Sequence, residues 1–273
     1  MKNILVPVDF SPASTNAAHY AAFIAKQFQA SLLLFHAYML PTPVSEVPYV
    51  MVTASELQSE NEALIKKEAK TLEQQYGIKT DTLVRIGVAS DEIRLLLHEQ
   101  PTDLVVMGMK GSGGLEKIIG STTNSVVRKV KVPVLIVPHD AKHNELKRIT
   151  LASDFQQKGT HEIFSPLKEF IHQSHASLTI LHVHVLHTRE HSDVLMGKKD
   201  LEQLFGDIPH HFTSLEDITI NEGLERFLKQ QPSDMLVMVA HEHSFLERIF
   251  NRPHTSNMAY ETQIPLLVLQ DKG

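Results

Sequence analysis

Between residues 105 and 122 the chain sets Gly108, Gly111, Gly113, Gly114 and Gly120 after a short β-branched run, and follows the last glycine with Ser121 and Thr122. These residue types can hold an anion without any catalytic side chain. Glycine reaches positive φ and has no Cβ, so backbone N–H groups can close around phosphate oxygens. A helix opened at Thr122 adds unpaired N–H groups and the positive end of its dipole. The stretch reads as strand (105–107), glycine-rich loop, helix (122–129) and strand (132–137). Neither GxxxxGK[ST] nor GxGxxG is present, so the glycines alone leave a tight turn open beside a phosphate cradle. Lys110, inside the loop, either neutralises phosphate or is simply solvated.

A cradle needs a strand edge to stand on, and the chain writes such a frame twice. ILVPVDF at 4–10 answers to ITLASDF at 149–155, each an apolar strand ending in Asp-Phe. SLLLFHA at 31–37 answers to SLTILHV at 177–183, QPTDLVVM at 100–107 to QPSDMLVM at 231–238, and VPVLIV at 132–137 to IPLLVL at 264–269. Four matches in the same order indicate duplication. Within each copy, short apolar strands alternate with helical stretches, the pattern of a parallel sheet covered on both faces. The first helix opens with Ser11 as N-cap and Pro12 in the first turn, and Ala18, Ala21, Ala22, Ala25 and Phe28 form its inward stripe. Further helices are predicted over residues 55–75 and 90–99, the latter burying Ile93, Leu96 and Leu97, while the proline-bearing stretch 41–52 reads as a loop. Right-handed crossovers then give βαβαβαβαβ in each copy, with the boundary in the polar segment 139–147.

VPVDFS at 6–11, the glycine spacing, and GSTTNSVVRKVKVPVLIVP at 120–138 resemble the universal stress protein family. The spacer between Gly111 and Gly120 is one residue shorter than in the family's ATP-binding members. The resemblance covers nearly the whole chain and is strongest in the first half. It implies an α/β fold of two tandem Rossmann-like doubly wound domains, over residues 1–140 and 146–273, each a five-stranded parallel sheet of order 3-2-1-4-5. It also implies an adenine nucleotide, ATP or AMP, with or without magnesium, outside the strand carboxyl ends, where the switch-point rule for open sheets places ligands. By resemblance, Pro7, Val8 and Asp9 at the end of the first strand and Ala37 after the second meet the adenosine part. Met107 and Gly108 meet the ribose and first phosphate, and Gly111, Gly120, Ser121 and Thr122 hold the phosphates, with Lys110 beside them as a candidate that its place in the loop alone suggests. Asp9 by its own charge suits a hydroxyl or amine donor; the alternative is that it orders the turn into the first helix. The corresponding stretch of the second copy, 239–255, contains no glycine. One nucleotide site per chain is therefore expected, in the first domain, with Asp154 a remnant.

Composition removes other classes. With 26 basic against 32 acidic residues and a net charge of −6, no basic field calls for nucleic acid. Cysteine is absent, which excludes thiolate chemistry and disulfides. The N-terminus enters an apolar strand too early for a signal segment, and no run is long enough to span a membrane; a cytoplasmic protein is expected. Twelve of the 17 histidines lie from His161 onward. The pairs His182/His184, His187/His191 and His241/His243 suit zinc or nickel in residue type, but surface or hydrogen-bonded histidines are the plainer reading, and no metal is expected. No SGGxDS or HxGH motif and no acid cluster for metal-assisted displacement is present, so no catalytic residue is assigned. The leading reading is a nucleotide-binding stress-response regulator acting on a protein partner that the sequence does not specify. The alternatives are a ligand-free dimerisation or scaffold module and a weak ATP hydrolase. Strands 132–137 and 264–269 are apolar and edge-capable and need covering; by resemblance they pair as an internal pseudo-dimer, with a homodimer as a further arrangement.

Overall fold

The computed structural model describes residues 1–40, 53–109, 121–155, 161–186, 194–241 and 264–271. The loop expected at 41–52, together with Lys110, Gly111 and Gly120, lies outside them. Strands Asn3–Pro7 (β1), Ser31–Tyr38 (β2), Thr80–Ile86 (β3), Leu104–Met109 (β4) and Val134–Pro138 (β5) alternate with helices Pro12–Phe28 (α1), Ala54–Tyr76 (α2), Ala89–Glu99 (α3) and Ser121–Lys129 (α4). The second half runs Arg148–Ala152 (β6), His161–Ser174 (α5), Ser177–Val185 (β7), Val194–Leu204 (α6), His210–Asp217 (β8), Ile220–Gln230 (α7), Met235–His241 (β9) and Leu266–Asp271 (β10). All ten strands form one sheet, β3-β2-β1-β4-β5-β10-β9-β6-β7-β8. Each half is parallel in the order 3-2-1-4-5. The halves join through an antiparallel seam, with Leu266 opposite Ile136 and Val268 opposite Val134. This internal pairing occupies the edge that a homodimer built on β5 would use.

Local chemistry explains the helices. Ser11 caps α1, its Oγ accepting from the Ser14 N–H at 3.3 Å. Ala17, Ala18, Ala21, Ala22 and Ala25 are fully buried, and their small side chains let α1 lie close against the sheet. Helix α2 starts at a full capping box, in which the Thr53 Oγ1 accepts from the Glu56 N–H and the Glu56 carboxylate accepts from the Thr53 N–H, and it ends at Gly77 with φ 69°. Helix α3 has no side-chain cap; Asp91 and Glu92 in its first turn complement the dipole instead. No described helix is long and apolar enough to cross a membrane.

The repeated QP-Thr/Ser-Asp motif has a structural purpose. Asp103 Oδ2 accepts from the N–H groups of Lys2 and Asn3 at 2.6 and 2.9 Å, while the Asp103 N–H donates to the Asn3 carbonyl at 2.9 Å. Asp234 does the same for Lys147 and Arg148 at 2.9 and 2.8 Å, and its N–H donates to the Arg148 carbonyl at 2.8 Å. Each aspartate thus pins the entry of the first strand of its half to the fourth.

One apolar cluster contains residues of both halves. Phe28 of α1 meets Phe170 of α5 edge to face, with ring centroids 5.2 Å apart, and Gln173 Nε2 donates to the Gln27 carbonyl at 2.7 Å. The polar connection after β5 is held down by α1, as Asn16 Nδ2 donates to the carbonyls of Pro138 and Ala141 at 2.9 and 3.3 Å. His143 lies with its ring 6.1 Å from that of His19 and 5.7 Å from that of Tyr20. Burial depresses the basicity of His19, and the His143 imidazole depresses it further. Burial likewise lowers His143, against an opposing hydrogen bond to the Asn16 backbone. A histidine held below its ordinary value binds a proton more readily in the unfolded chain, so stability is complete above about pH 6.5 and falls as pH drops through and below it. Thermal melts at pH 7.5 and 5.5 test this: His143→Gln is expected to lose less stability on acidification than the wild type, by on the order of a few degrees. Equal losses would refute it.

Candidate functional site

In a sheet of order 3-2-1-4-5 the chain reverses its direction of winding between β1 and β4, which opens a crevice beyond their carboxyl ends. Pro7 closes β1 and is half-buried, Val8 is buried and Asp9 is exposed. Ala37, half-buried, sits near the end of β2. Met107 and Gly108 lie near the end of β4, and Ser121, exposed, and Thr122, half-buried, open α4. The described residues assigned from the sequence therefore converge on one sheet edge. The first turn of α4 is tied there, since Thr123, buried, donates from Oγ1 to the Gly108 carbonyl at 3.3 Å.

The turn out of β1 is tightly specified. Asp9 Oδ1 accepts from the Ser11 N–H at 3.0 Å, and the Asp9 N–H donates to Ser14 Oγ at 3.2 Å. Asp9 thus orders the helix entry, the plainer of its two readings, while its carboxylate remains at the surface. Phe10 adopts φ 59°, unusual for an aromatic residue. Its ring lies 4.6 Å from that of His36, whose Nδ1 is 2.8 Å from the Val8 carbonyl. The second half repeats the device: Phe155 has φ 60°, its ring is 4.9 Å from that of His182, and His182 Nδ1 is 2.9 Å from the Ser153 carbonyl. Phe10, His36 and Thr123 were not among the assigned site residues. The signal that could have found the first two was the recurrence of Asp-Phe and of the strand histidine in both copies.

Half-buried Glu68 of α2 lies in the field of Asp9. Burial raises the affinity of its carboxyl for a proton, a hydrogen bond with Thr15 works the other way, and the Asp9 charge adds to the rise. The β1 side of the crevice is therefore acidic, whereas the α4 side offers a helix N-terminus. Among the described residues no group of three or more His, Asp or Glu could hold a metal ion. His182 is engaged with the Ser153 carbonyl, and His187, His191 and His243 lie outside the described residues.

Gly108 has a structural reason of its own. A Cβ there would stand 2.5 Å from the Ala13 carbonyl oxygen and 2.7 Å from its carbon, so the missing side chain lets the first turn of α1 pack on β4. In the second half Val239, 3% exposed, follows Met238, and closeness is reached elsewhere: a Cβ at Gly197 of α6 would come 2.0 Å from the Phe155 carbonyl oxygen. Helix α6 thus presses on the turn after β6. Asp154 is half-buried where Asp9 is exposed, and Phe155 is buried where Phe10 is half-buried.

Comparison with known proteins agrees with this architecture. The sequence model of the universal stress protein family matches residues 1–138. Universal stress protein MJ0531 of Methanocaldococcus jannaschii is 33% identical over 149 residues, which cover 52% of this chain and 84% of that protein. Universal stress protein Sll1654 of Synechocystis is 33% identical over 140 residues, covering 50% and 85% respectively. The chain belongs to the universal stress protein family. A crystal structure of a universal stress protein from Archaeoglobus fulgidus superposes with a TM-score of 0.77 at 20% identity, covering 99% of this chain and 98% of that one, so the same fold runs through both halves.

The Gly108 contact makes a prediction independent of any ligand. Gly108→Ala is expected to lower unfolding free energy by about 1–3 kcal/mol through overpacking against Ala13, read as a reduced urea midpoint in nucleotide-free protein. An unchanged midpoint would show that the packing tolerates a methyl group and that this glycine is not needed there.

Proposed function

We propose that the chain is an adenine-nucleotide-binding regulatory protein of the stress response, with one site, in a first domain of residues 1–140; residues 146–273 form a second domain that has lost its own. The observation that carries this reading is the pairing, at one switch point, of an exposed carboxylate in the turn after β1 with the N-terminus of α4. In the first half that edge is joined by a glycine-rich segment in the sequence. Asp9 supplies acceptors for the amine and hydroxyl donors of an adenosine group, and the backbone at Ala37 supplies the shape-matched partner for the base edge. The α4 N–H groups with the Ser121 and Thr122 hydroxyls supply donors for phosphate oxygens. Lys110, Gly111 and Gly120 complete the phosphate end in this reading. In the second half the pressure of α6 on Phe155 and the buried Val239 favour a closed corner. The ligand is ATP or AMP; magnesium would neutralise the phosphates where basic side chains are few.

Calorimetric titration of the full chain with ATP and with AMP tests the assignment. About one nucleotide per chain is expected, with Asp9→Ala weakening the binding about tenfold, roughly 1.4 kcal/mol, and Asp154→Ala leaving it unchanged. Binding that is lost in Asp154→Ala and kept in Asp9→Ala would move the site to the second half. No heat at millimolar nucleotide from protein freed of copurified ligand would remove the proposal.

A further inference from the structure

Helix α4 is held from three directions, and one of them belongs to the other half of the chain. Thr123 ties its first turn to the Gly108 carbonyl at 3.3 Å, and Lys129 in its last turn reaches Asp91 Oδ1 of α3 at 3.0 Å. The third tie crosses the seam: Gln270, near the end of β10, donates from Nε2 to the Val127 carbonyl at 3.2 Å. Val127 stands in the last turn of a nine-residue helix, where carbonyl groups outnumber helical donors. The apolar surroundings come from both halves as well, since Val126, Val127 and Val130 share a cluster with Ala240 and Val268.

Gln270 is an unexpected residue at this place. It is 9% exposed, and its Oε1 is buried with no hydrogen-bond partner among the described residues. An apolar side chain of the same size would fill the space without leaving a buried acceptor unsatisfied. Only the N–H side of the amide is used, and the reverse orientation would set oxygen against oxygen, so the donor assignment follows from chemistry. A polar side chain in an apolar seam is accounted for by the bond it makes to Val127, the one hydrogen bond of its side chain among the described residues, and that bond ends on α4.

We infer that Gln270 is a positioning residue for the first-half site: the second half reaches across the β5–β10 seam and fixes the C-terminal turn of α4, and through this short rigid helix sets where Ser121 and Thr122 stand at the crevice. The inference rests on the nucleotide reading given above. It assigns the second half, whose counterpart loop has no glycine, a task in the binding of a ligand it does not itself hold.

The test uses the full chain with Gln270→Met, which keeps the volume and removes the donor, and Gln270→Glu, which sets a carboxylate against the carbonyl. Hydrogen–deuterium exchange without nucleotide reads the brace, and ATP titration reads its consequence. Both variants are expected to speed exchange of amides in the last turn of α4 by about tenfold relative to flanking β4 and β5. ATP affinity is expected to fall about fivefold in Gln270→Met, and further in Gln270→Glu, with an unchanged number of sites. If Gln270→Glu fails to fold, Gln270→Met decides alone. Unchanged α4 exchange overturns the brace. Faster exchange with undiminished affinity, in a wild type that binds ATP, overturns the positioning role while leaving the nucleotide site standing. A wild type that does not bind ATP overturns the nucleotide reading itself, whatever exchange shows.

Discussion

The antiparallel ladder between β5 and β10 is the constraint on which the remaining architecture rests. Each half ends its sheet in a short run of Val, Ile and Leu buried on both faces, and such a strand with one unpaired side invites association with any other strand. Pairing the two runs satisfies both edges at once, and the covalent connection through residues 139–147 makes the encounter intramolecular. Once the seam is set, α1 and α5 meet across it at Phe28 and Phe170, the apolar cluster becomes continuous, and β10 comes under α4. Neither half has this environment alone. The second half therefore has a reason to remain intact even with a counterpart loop in which every residue carries a Cβ: it supplies the complement to β5.

What the halves share and where they diverge follow from different demands. The shared devices all satisfy backbone groups or fix a turn. Asp103 and Asp234 pin strand entries, His36 and His182 meet the carbonyl at the exit of the first strand, and Phe10 and Phe155 hold a positive φ under an imidazole. A buried backbone polar group must find a partner in either copy, so either copy needs these residues. The divergent features lie at the crevice: exposed Asp9 against half-buried Asp154, Gly108 against Val239, and α6 pressed onto Phe155. Of these, Gly108 answers to the frame as well, through the packing of α1 on β4, whereas the exposure of Asp9 against Asp154 is a difference that the shared frame does not require.

The sequence made the frame legible because its signals are local. Ser11 with Pro12, the alanine stripe of α1 and the four repeated motifs each point to an element that the structure contains. Helix α2 begins within one residue of its expected start, but its Thr53 cap was not read: its Glu56 partner is three residues on, yet no apolar period begins until later, and Ile65 is the first buried residue. The seam was legible only in part, since an apolar edge announces that it needs a cover and not which strand provides it; its pairing came from family resemblance. Gly108 shows the limit most clearly. Its neighbours in sequence suggest a loop around an anion, whereas the space a side chain would need is taken by the backbone of Ala13, 95 positions away in the chain, and no local pattern encodes such an approach. Gln270 is of the same kind, a polar residue in an apolar strand whose partner is 143 positions distant.

Charge sets the polarity of the crevice under the proposed reading. Asp9 already accepts the Ser11 N–H through Oδ1, and it lies close enough to Glu68 to raise the proton affinity of that half-buried carboxyl, beyond what burial does. A ligand that covers this corner removes water and strengthens the repulsion between two carboxylates. The repulsion is relieved when Glu68 takes a proton or when the ligand brings a donor to Asp9. A phosphate brings neither, so it is disfavoured on the β1 side and favoured at the N-terminus of α4, where the helix dipole and the Ser121 and Thr122 hydroxyls lie. An adenosine group has the opposite requirement, an amine and hydroxyls in search of acceptors. A ligand with donors at one end and an anion at the other can therefore be accepted in one direction across the sheet edge, with its nucleoside over β1 and β2 and its phosphate toward α4.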